Sequence, residues 1–328
     1  MSPSPAFDEV FNRLLDVAAL FHFPLKVTTM YVVYRHSPAE MGAMPAFLLN
    51  IMLWNLLANV LGFFMHINPQ FPALCFRGDG PITFFTKSEF VYHVFVSGTF
   101  ACIMDCGLAL GFAFPYRYLV FVHPDFVNKI RMKWGICLCV SLHVIYTVTF
   151  VYTYKISILS YENYPWKDEL LSELPSKAGV ICYWPYGWRK NMIQTVFFTL
   201  TSISVSIITI FSFMLRRALV QMKHILNEQT LELHRKFLCY LMIITGVPLI
   251  FGGIPVLISN TCALFPHISN CRQATMVCTL ILYNHGALYS IVSIVTFGPY
   301  RSAMYRIVRK SFRPCRSNAV RANLFVAH

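Results

Sequence analysis

Seven long runs of apolar residues constrain the fold of this chain more than any other feature of its sequence. A helix needs about 20 apolar residues to cross roughly 30 Å of hydrocarbon. Of the 328 residues, 56% are hydrophobic and 12% are charged, whereas soluble proteins contain about 25% charged residues. The sequence therefore predicts an all-α membrane protein, a seven-transmembrane helix bundle formed by residues 1–328 as one domain. The predicted spans are 14–34, 46–66, 90–114, 134–154, 192–215, 237–259 and 274–297.

Lysine and arginine predict the orientation of the bundle, because cytoplasmic loops carry an excess of both residues. With the N-terminus outside, the inner loops and the tail hold nearly twice as many of these residues as the outer segments. We therefore expect a multi-pass plasma-membrane protein with an extracellular N-terminus and a cytoplasmic C-terminus. The net charge of +13 is explained by this topology. Nucleic acid is not an expected partner, since no basic block stands apart from the helices.

Two segments carry patterns beyond a simple span. Residues 299–312 separate apolar from basic side chains on two faces, which predicts a short amphipathic helix on the inner leaflet. The sixth span contains a cluster of helix-breaking residues, and each proline there removes a backbone hydrogen bond. We expect this helix to be the most hinge-like element. The cluster consists of Gly246, Pro248, Gly252, Gly253 and Pro255.

Four of the eleven cysteines lie in predicted outer segments, namely Cys75, Cys182, Cys262 and Cys271. The outer side is oxidising, and four cysteines permit three pairings. A local bridge between Cys262 and Cys271 is easy to form, and Cys75 would then pair with Cys182 and tie down the long second outer loop. Free thiols are the alternative. Cys315, after the surface helix, is a candidate for palmitoylation, with an unmodified thiol as the alternative.

Three stretches of the sequence resemble a known receptor family. Residues 112–121, FAFPYRYLVF, look like the end of helix three in a G-protein-coupled receptor. Residues 284–301, NHGALYSIVSIVTFGPYR, resemble the HG…SIV…PYR signature of the nematode serpentine chemoreceptors, in the superfamily that holds classes H, I and D. Residues 36–54, HSPAEMGAMPAFLLNIMLW, are similar to their first inner loop and second helix. The resemblance implies a chemosensory receptor that binds an external small molecule and activates a heterotrimeric G protein.

The resemblance also implies residues for G-protein coupling. Arg117 matches the arginine at the cytoplasmic end of helix three, and Arg301 closes the PYR run. Tyr116, which we assign to coupling with them, stands where an acidic neighbour is common, so the sequence leaves open what restrains Arg117 at rest. An ordinary basic anchor at the membrane surface is the alternative for Arg117.

Polar residues inside three predicted spans suggest a switch. Counting 1.5 Å per residue from the inner helix ends puts Asp105, Asn59 and His285 at about one depth, with Asn284 beside them. An acid inside a membrane helix usually faces the bundle interior. We predict that these four residues form a polar cluster that rearranges when helix six moves. A static packing contact, or a protonated Asp105 that only donates a hydrogen bond, is the alternative.

The ligand pocket is predicted at the outer ends of helices three, five, six and seven. Few polar side chains stand there among many aromatic ones, which is typical of a mostly apolar cavity with few polar anchors. Helix packing is the alternative role for each of them. No acid at that level of helix three suits a cationic amine, so the sequence favours a neutral or acidic ligand. The candidates are His93, Ser97, Gln194, Asn260 and Thr275.

Several enzyme motifs are missing from the sequence. The seventh span has no lysine for a retinal Schiff base, and neither HExxH nor a glycine-rich phosphate loop occurs. We expect no enzyme activity, no cofactor and no metal. The main alternative function is a secondary transporter or a ligand-gated channel, for which Lys26 and Asp105 are the candidate pathway charges. The odd number of spans and the lack of a repeat argue against that alternative.

Overall fold

The computed structural model describes residues 5–129, 131–170, 179–221 and 228–311. Seven of the helices in these ranges are long and apolar enough to cross a membrane, which confirms the predicted seven-helix bundle. A further helix after the seventh confirms the predicted short amphipathic helix. These eight helices are α1 Pro5–His36, α2 Met44–Met65, α3 Glu89–Val122, α4 Met132–Ser157, α5 Gly187–Gln221, α6 from Glu228 to Leu264, α7 Cys271–Thr296 and α8 Gly298–Ser311, and two short helical segments, Pro124–Lys129 and Lys167–Leu170, lie between them.

Several helices are longer than their predicted spans. The prediction for α1 starts at residue 14, whereas the helix begins at Pro5 and includes Asp8, Glu9 and Arg13 in its first turns. Hydropathy detects only the part of a helix that matches the hydrocarbon thickness. The helical hydrogen bonds continue into polar sequence, where they need no apolar side chains. α3 and α5 extend past their predicted inner ends for the same reason.

The helix α6 is interrupted where its glycines and prolines cluster. Its first part, Glu228–Pro248, is followed by the π-helical turn Leu249–Gly253 and then by Ile254–Leu264. Pro255 has no amide hydrogen to donate to the preceding turn. Single π turns inside helices occur frequently at functional sites. The irregularity predicted for the sixth helix is therefore present as a local change of helix type.

A small antiparallel sheet covers one end of the bundle, and the sequence did not predict it. Strands this short are too brief to show an alternating pattern of apolar and polar residues. We call this end of the bundle the sheet end, and the opposite end, with the α1–α2 loop and α8, the tail end. The strands are β1 Ile67–Pro69, β2 Cys75–Gly78, β3 Ile158–Leu159 and β4 Val180–Tyr183, in the order β1-β2-β4-β3.

A disulfide joins the two central strands of this sheet. Cys75 lies opposite Cys182 in the β2–β4 register, and their sulfur atoms are bonded, as the sequence favoured. The bond ties the segment before α3 to the long segment between α4 and α5. The local bridge expected between Cys262 and Cys271 is wrong, because both thiols are free. Cys271 is the first residue of α7, and its thiol donates to the carbonyl oxygen of Phe265 at 3.7 Å.

The PYR run forms part of the core at the tail end. Tyr300 is fully buried, and its hydroxyl lies 2.7 Å from Ser37 Oγ in the α1–α2 loop. The same hydroxyl donates to Met41 Sδ at 3.4 Å, and the Tyr300 ring packs on Phe297 with a centroid distance of 4.7 Å. Two of the stretches that carry the family resemblance, 36–54 and 284–301, therefore contact each other through Tyr300.

Candidate functional site

A cavity opens between the helices directly beneath the sheet. Its volume is about 140 Å³, close to the roughly 150 Å³ of an apolar cavity that binds benzene. Aromatic side chains such as Phe100 and Phe197 form much of its wall. Of the five predicted ligand residues, Gln194, Asn260 and Thr275 line this outer cavity.

The other two predicted ligand residues lie outside the cavity wall. Ser97 Oγ donates to the carbonyl oxygen of Val94 in its own helix, at 3.1 Å. His93 is buried, and its Nδ1 lies 3.0 Å from the hydroxyl of Tyr154, which lies 2.9 Å from the hydroxyl of Tyr183. Both tyrosines line the outer cavity. His93 therefore orients hydroxyl groups of the wall and does not face the cavity itself.

The electrostatic character of the outer cavity favours neutral or negative guests. Burial raises the pKa of Tyr183, so its hydroxyl stays protonated and is able to donate. Lys190 lies in the wall and donates from Nζ to the carbonyl oxygen of Leu264 at 3.0 Å. Among the described residues that line the cavity, none is acidic. A cationic amine would find no counter-charge there.

A second cavity, the middle cavity, continues from the outer one toward the tail end. The volume of the middle cavity is about 110 Å³. Four residues belong to both walls, so the two spaces adjoin. Helix α6 contributes Pro248 to the wall of the middle cavity and, from its π turn, Leu249, Gly252 and Gly253. A ligand that fills both cavities, about the size of two aromatic rings, would contact the irregular part of α6. The shared residues are Ile103, Val256, Leu282 and Tyr283.

The predicted switch cluster is not assembled in the structure. Asp105 is fully buried, but its carboxyl group lies 2.8 Å from His143 Nδ1 and 2.6 Å from Thr147 Oγ1, both on α4. Its neighbour Cys106 faces α2 instead, where its thiol donates to the carbonyl oxygen of Ile51 at 3.7 Å. Successive helical residues point about 100° apart, so Asp105 and Cys106 do not share a face, and Asp105 reaches α2 only through His143, whose Nε2 lies 3.1 Å from Asn50 Nδ2. The prediction used depth alone and put Asp105 on the wrong face of α3.

The other three residues of that hypothesis lie on α2 and α7 without forming one cluster. Asn59 Nδ2 donates to the carbonyl oxygen of Tyr283 at 2.9 Å. His285 Nε2 lies 2.9 Å from Nδ2 of Asn55, one helical turn away from Asn59. Asn284 is exposed and donates to a carbonyl oxygen of its own helix. Asn55 is therefore the α2 partner of His285, and the sequence did not single it out.

Arg117 links α3 to α6 at the tail end. Its side chain is 7% exposed, and its Nη2 lies 3.1 Å from Nδ1 of His234. The His234 ring also packs against Phe121, with a centroid distance of 4.5 Å. The sequence left open what holds Arg117, because Tyr116 replaces the usual acid. In the structure an imidazole on α6 contacts the guanidinium.

Tyr116 and Arg301, the other residues predicted for G-protein coupling, differ in their surroundings. The Tyr116 hydroxyl accepts a hydrogen bond from the Ala43 amide at 3.1 Å, and its ring packs on Phe47. Tyr116 therefore holds the α1–α2 loop against α3. Arg301 is exposed on α8, and its Nη1 donates to a carbonyl oxygen of α7 at 3.4 Å. Cys315, the candidate for palmitoylation, lies outside the described residues.

An ionic network at the sheet end joins α1, the sheet and α7, and the sequence did not predict it. Asp8 accepts from Arg272 at 2.7 and 2.8 Å and from Arg77 at 3.2 Å. Arg77 also donates to both carboxyl oxygens of Asp79 at 2.6 Å. Burial lowers the pKa of Arg77, but the hydrogen bonds and charges of Asp79 and Asp8 outweigh it and raise the pKa. These pairs position the sheet that covers the outer cavity. Those of Asp8 join residues far apart in the sequence, so no local pattern predicts them.

The seven-helix bundle with its covered cavity fits the class of seven-transmembrane receptors. A sequence model of the family described as serpentine type 7TM GPCR chemoreceptor Srh matches residues 6–310. The chain belongs to this nematode chemoreceptor family, which is a receptor family and not an enzyme family. This membership confirms the family resemblance read from the sequence. No curated protein matches the chain.

Proposed function

We propose that this chemoreceptor binds a small neutral or acidic molecule in the outer and middle cavities and activates a heterotrimeric G protein at the tail end. The observation that carries the proposal is the wall of the middle cavity, which contains Pro248 and the π turn of α6. The tail end of the same helix contacts Arg117 through His234. One helix thus connects the space for the ligand with the arginine expected to engage the G protein.

Helix geometry makes this connection mechanically effective. From Gly253 to His234 the helix is about 28 Å long at 1.5 Å per residue. A bend of about 10° at the π turn moves the His234 end by about 5 Å over that length. A hydrogen bond at 3.1 Å does not survive such a displacement, because the interaction fails beyond about 3.5 Å. A ligand drives the bend only by binding the bent form more tightly than the straight one.

The proposal requires the sheet end to lie outside the cell and the tail end in the cytoplasm. The excess of lysine and arginine in the tail-end loops supports this orientation, and so does the disulfide at the sheet end, since disulfides persist in oxidising compartments. An N-terminal epitope tag should stain on intact cells and a C-terminal tag only after permeabilisation. The reverse staining pattern contradicts the proposed orientation and the receptor function with it.

A mutation at the tail end tests coupling to the G protein. The receptor is expressed in cells with a promiscuous G protein and screened with neutral and acidic small molecules. Arg117→Ala should abolish the response to any active compound while surface expression stays near normal. The matched control is Arg216→Ala, an exposed arginine at the tail end of α5, which should respond normally.

Two outcomes would count against this function. Reduced insertion of Arg117→Ala with a normal response per surface molecule would make Arg117 a membrane anchor only. Compound-dependent current or uptake in cells without any functional G protein would favour the transporter or channel alternative. Measuring surface level, current and second messenger in the same cells separates the three cases.

A further inference from the structure

A lysine is buried in the middle of the first helix. Lys26 lies within α1 and is 2% exposed. Among the described residues, no hydrogen-bond partner reaches its Nζ atom. An ionised side chain at such a depth is costly and normally meets a partner of opposite charge.

The amine of Lys26 belongs to a small chamber between α1, α2 and α7. The volume of the chamber is about 10 Å³, which is about the smallest space that holds one water molecule. Asn55, His285 and Tyr289 are part of its wall. Gly286 makes the arrangement possible, because a Cβ atom there would lie 2.7 Å from Lys26 Cε and 1.8 Å from Asn55 Oδ1.

The hydrogen bonds of the wall leave several donors turned to the chamber. His285 Nδ1 contacts the carbonyl oxygen of Leu282 and must donate to it. Nε2 of the same ring then accepts from Asn55 Nδ2, so His285 is neutral and its two nitrogens are used. The Tyr289 hydroxyl is buried without a partner among the described residues. The Lys26 amine, the Tyr289 hydroxyl and the second amide hydrogen of Asn55 remain as donors, and Asn55 Oδ1 remains as an acceptor near Lys26 Cε.

No negative charge of the chain balances this set of donors. Among the described residues that line the chamber, none is acidic. Asp105 is next in sequence to the chamber residue Cys106, but its carboxyl group is engaged by α4. The chamber adjoins the middle cavity, because Asn55, Cys106, Pro248 and His285 line both spaces.

We propose that Lys26, Asn55 and Tyr289 form a binding site for one monovalent anion. The anion is either a halide from solution or the carboxylate of a molecule whose apolar part fills the middle cavity, and this second source rests on the proposed ligand site. A bound anion neutralises the ammonium and accepts hydrogen bonds from it and from Tyr289. It also lies beside Pro248 of α6, so its occupancy is coupled to the hinge.

Thermal melting of the purified full chain in lipid nanodiscs tests the halide source. Chloride is titrated against gluconate at constant ionic strength. The wild type should show a saturable rise in melting temperature with chloride, and Lys26→Met should show none. Lys155→Met removes an exposed lysine at the sheet end of α4 and should respond like the wild type. Tyr289→Phe is the second variant, for the case that Lys26→Met does not fold. It should weaken chloride binding at least fivefold.

The carboxylate source is tested in chloride-free gluconate buffer with octanoate and, as a neutral match, octanamide. A melting shift with octanoate alone, lost in Lys26→Met and kept in Lys155→Met, supports the carboxylate source. A shift with chloride alone supports the halide source. The proposal is overturned if neither anion stabilises the wild type, or if Lys26→Met and Tyr289→Phe respond as the wild type does. Because these measurements need no G protein, their failure is distinct from failure of the proposed receptor function.

Discussion

The contact between Arg117 and His234 offers the most direct test of how α6 is held. His234→Phe keeps an aromatic ring beside Phe121, which packs on His234 at 4.5 Å, and removes the nitrogen that lies 3.1 Å from Arg117. We expect this variant to signal without ligand. The change removes one restraint on the tail end of α6 and leaves the cavities untouched.

The size of the effect follows from the environment of the bond. Hydrogen bonds to charged groups contribute about 1.5–3 kcal/mol. Arg117 is buried but His234 is only half-buried, so the lower end of that range applies. A loss of about 1.4 kcal/mol shifts the equilibrium tenfold. If the open form is populated to about 1% in the resting receptor, its population rises to about 10%.

Basal second-messenger production per surface receptor measures this shift in cells with a promiscuous G protein. His267→Phe is the control, because His267 is exposed in the loop between α6 and α7 at the sheet end. It should leave basal signalling unchanged. A His234→Phe receptor at normal surface level with wild-type basal activity would refute the idea that this contact restrains α6.

Three further predictions concern stability, each measured as the melting temperature of purified receptor. Cys75→Ala opens a disulfide that spans 107 residues of sequence and should lower the free energy of unfolding by about 4–5 kcal/mol in the chain-entropy model. Cys271→Ala, at a free thiol, should have a far smaller effect. Equal losses in the two variants would contradict the assignment of the disulfide to Cys75 and Cys182. Gly62→Ala places a Cβ atom 2.1 Å from the Tyr283 hydroxyl and should cost at least the roughly 1–3 kcal/mol of overpacking, so an unchanged melting temperature would show that Tyr283 moves freely. Asp105→Ala removes the partner of two α4 side chains and should lower the free energy of unfolding by roughly 2–6 kcal/mol. Basal signalling should not change. Altered signalling at normal stability would instead support a switching role for Asp105.

Bilayer thickness explains why the sequence alone determined the bundle. A span must be apolar over a length set by the hydrocarbon, so seven spans are visible as seven runs, and the extra helical turns beyond them are not. The irregular point of α6 was also readable, because Pro248 and Pro255 act through their own backbone. Compartment and the few pairings available favoured Cys75–Cys182, although the Cys262–Cys271 bridge expected with it is not formed.

Only the tertiary structure decided which way each polar side chain points. Lipid tails are about as apolar as leucine, so a membrane helix is apolar on every face and its sequence does not mark the face that meets the bundle. This is why depth put Asp105 with His285, whereas helix rotation turns Asp105 to α4 and gives His285 the partner Asn55.

The same limit applies at both ends of the bundle. His93 and Gln194 look equally suited to a ligand pocket in the sequence, yet only Gln194 lines the outer cavity. The contact of Arg117 with His234 joins residues on different helices that no local pattern relates. Local composition determines where the chain crosses the membrane, because each span interacts with lipid on its own. The contacts that build the site depend on the rotation of packed helices, which is set by many side chains at once.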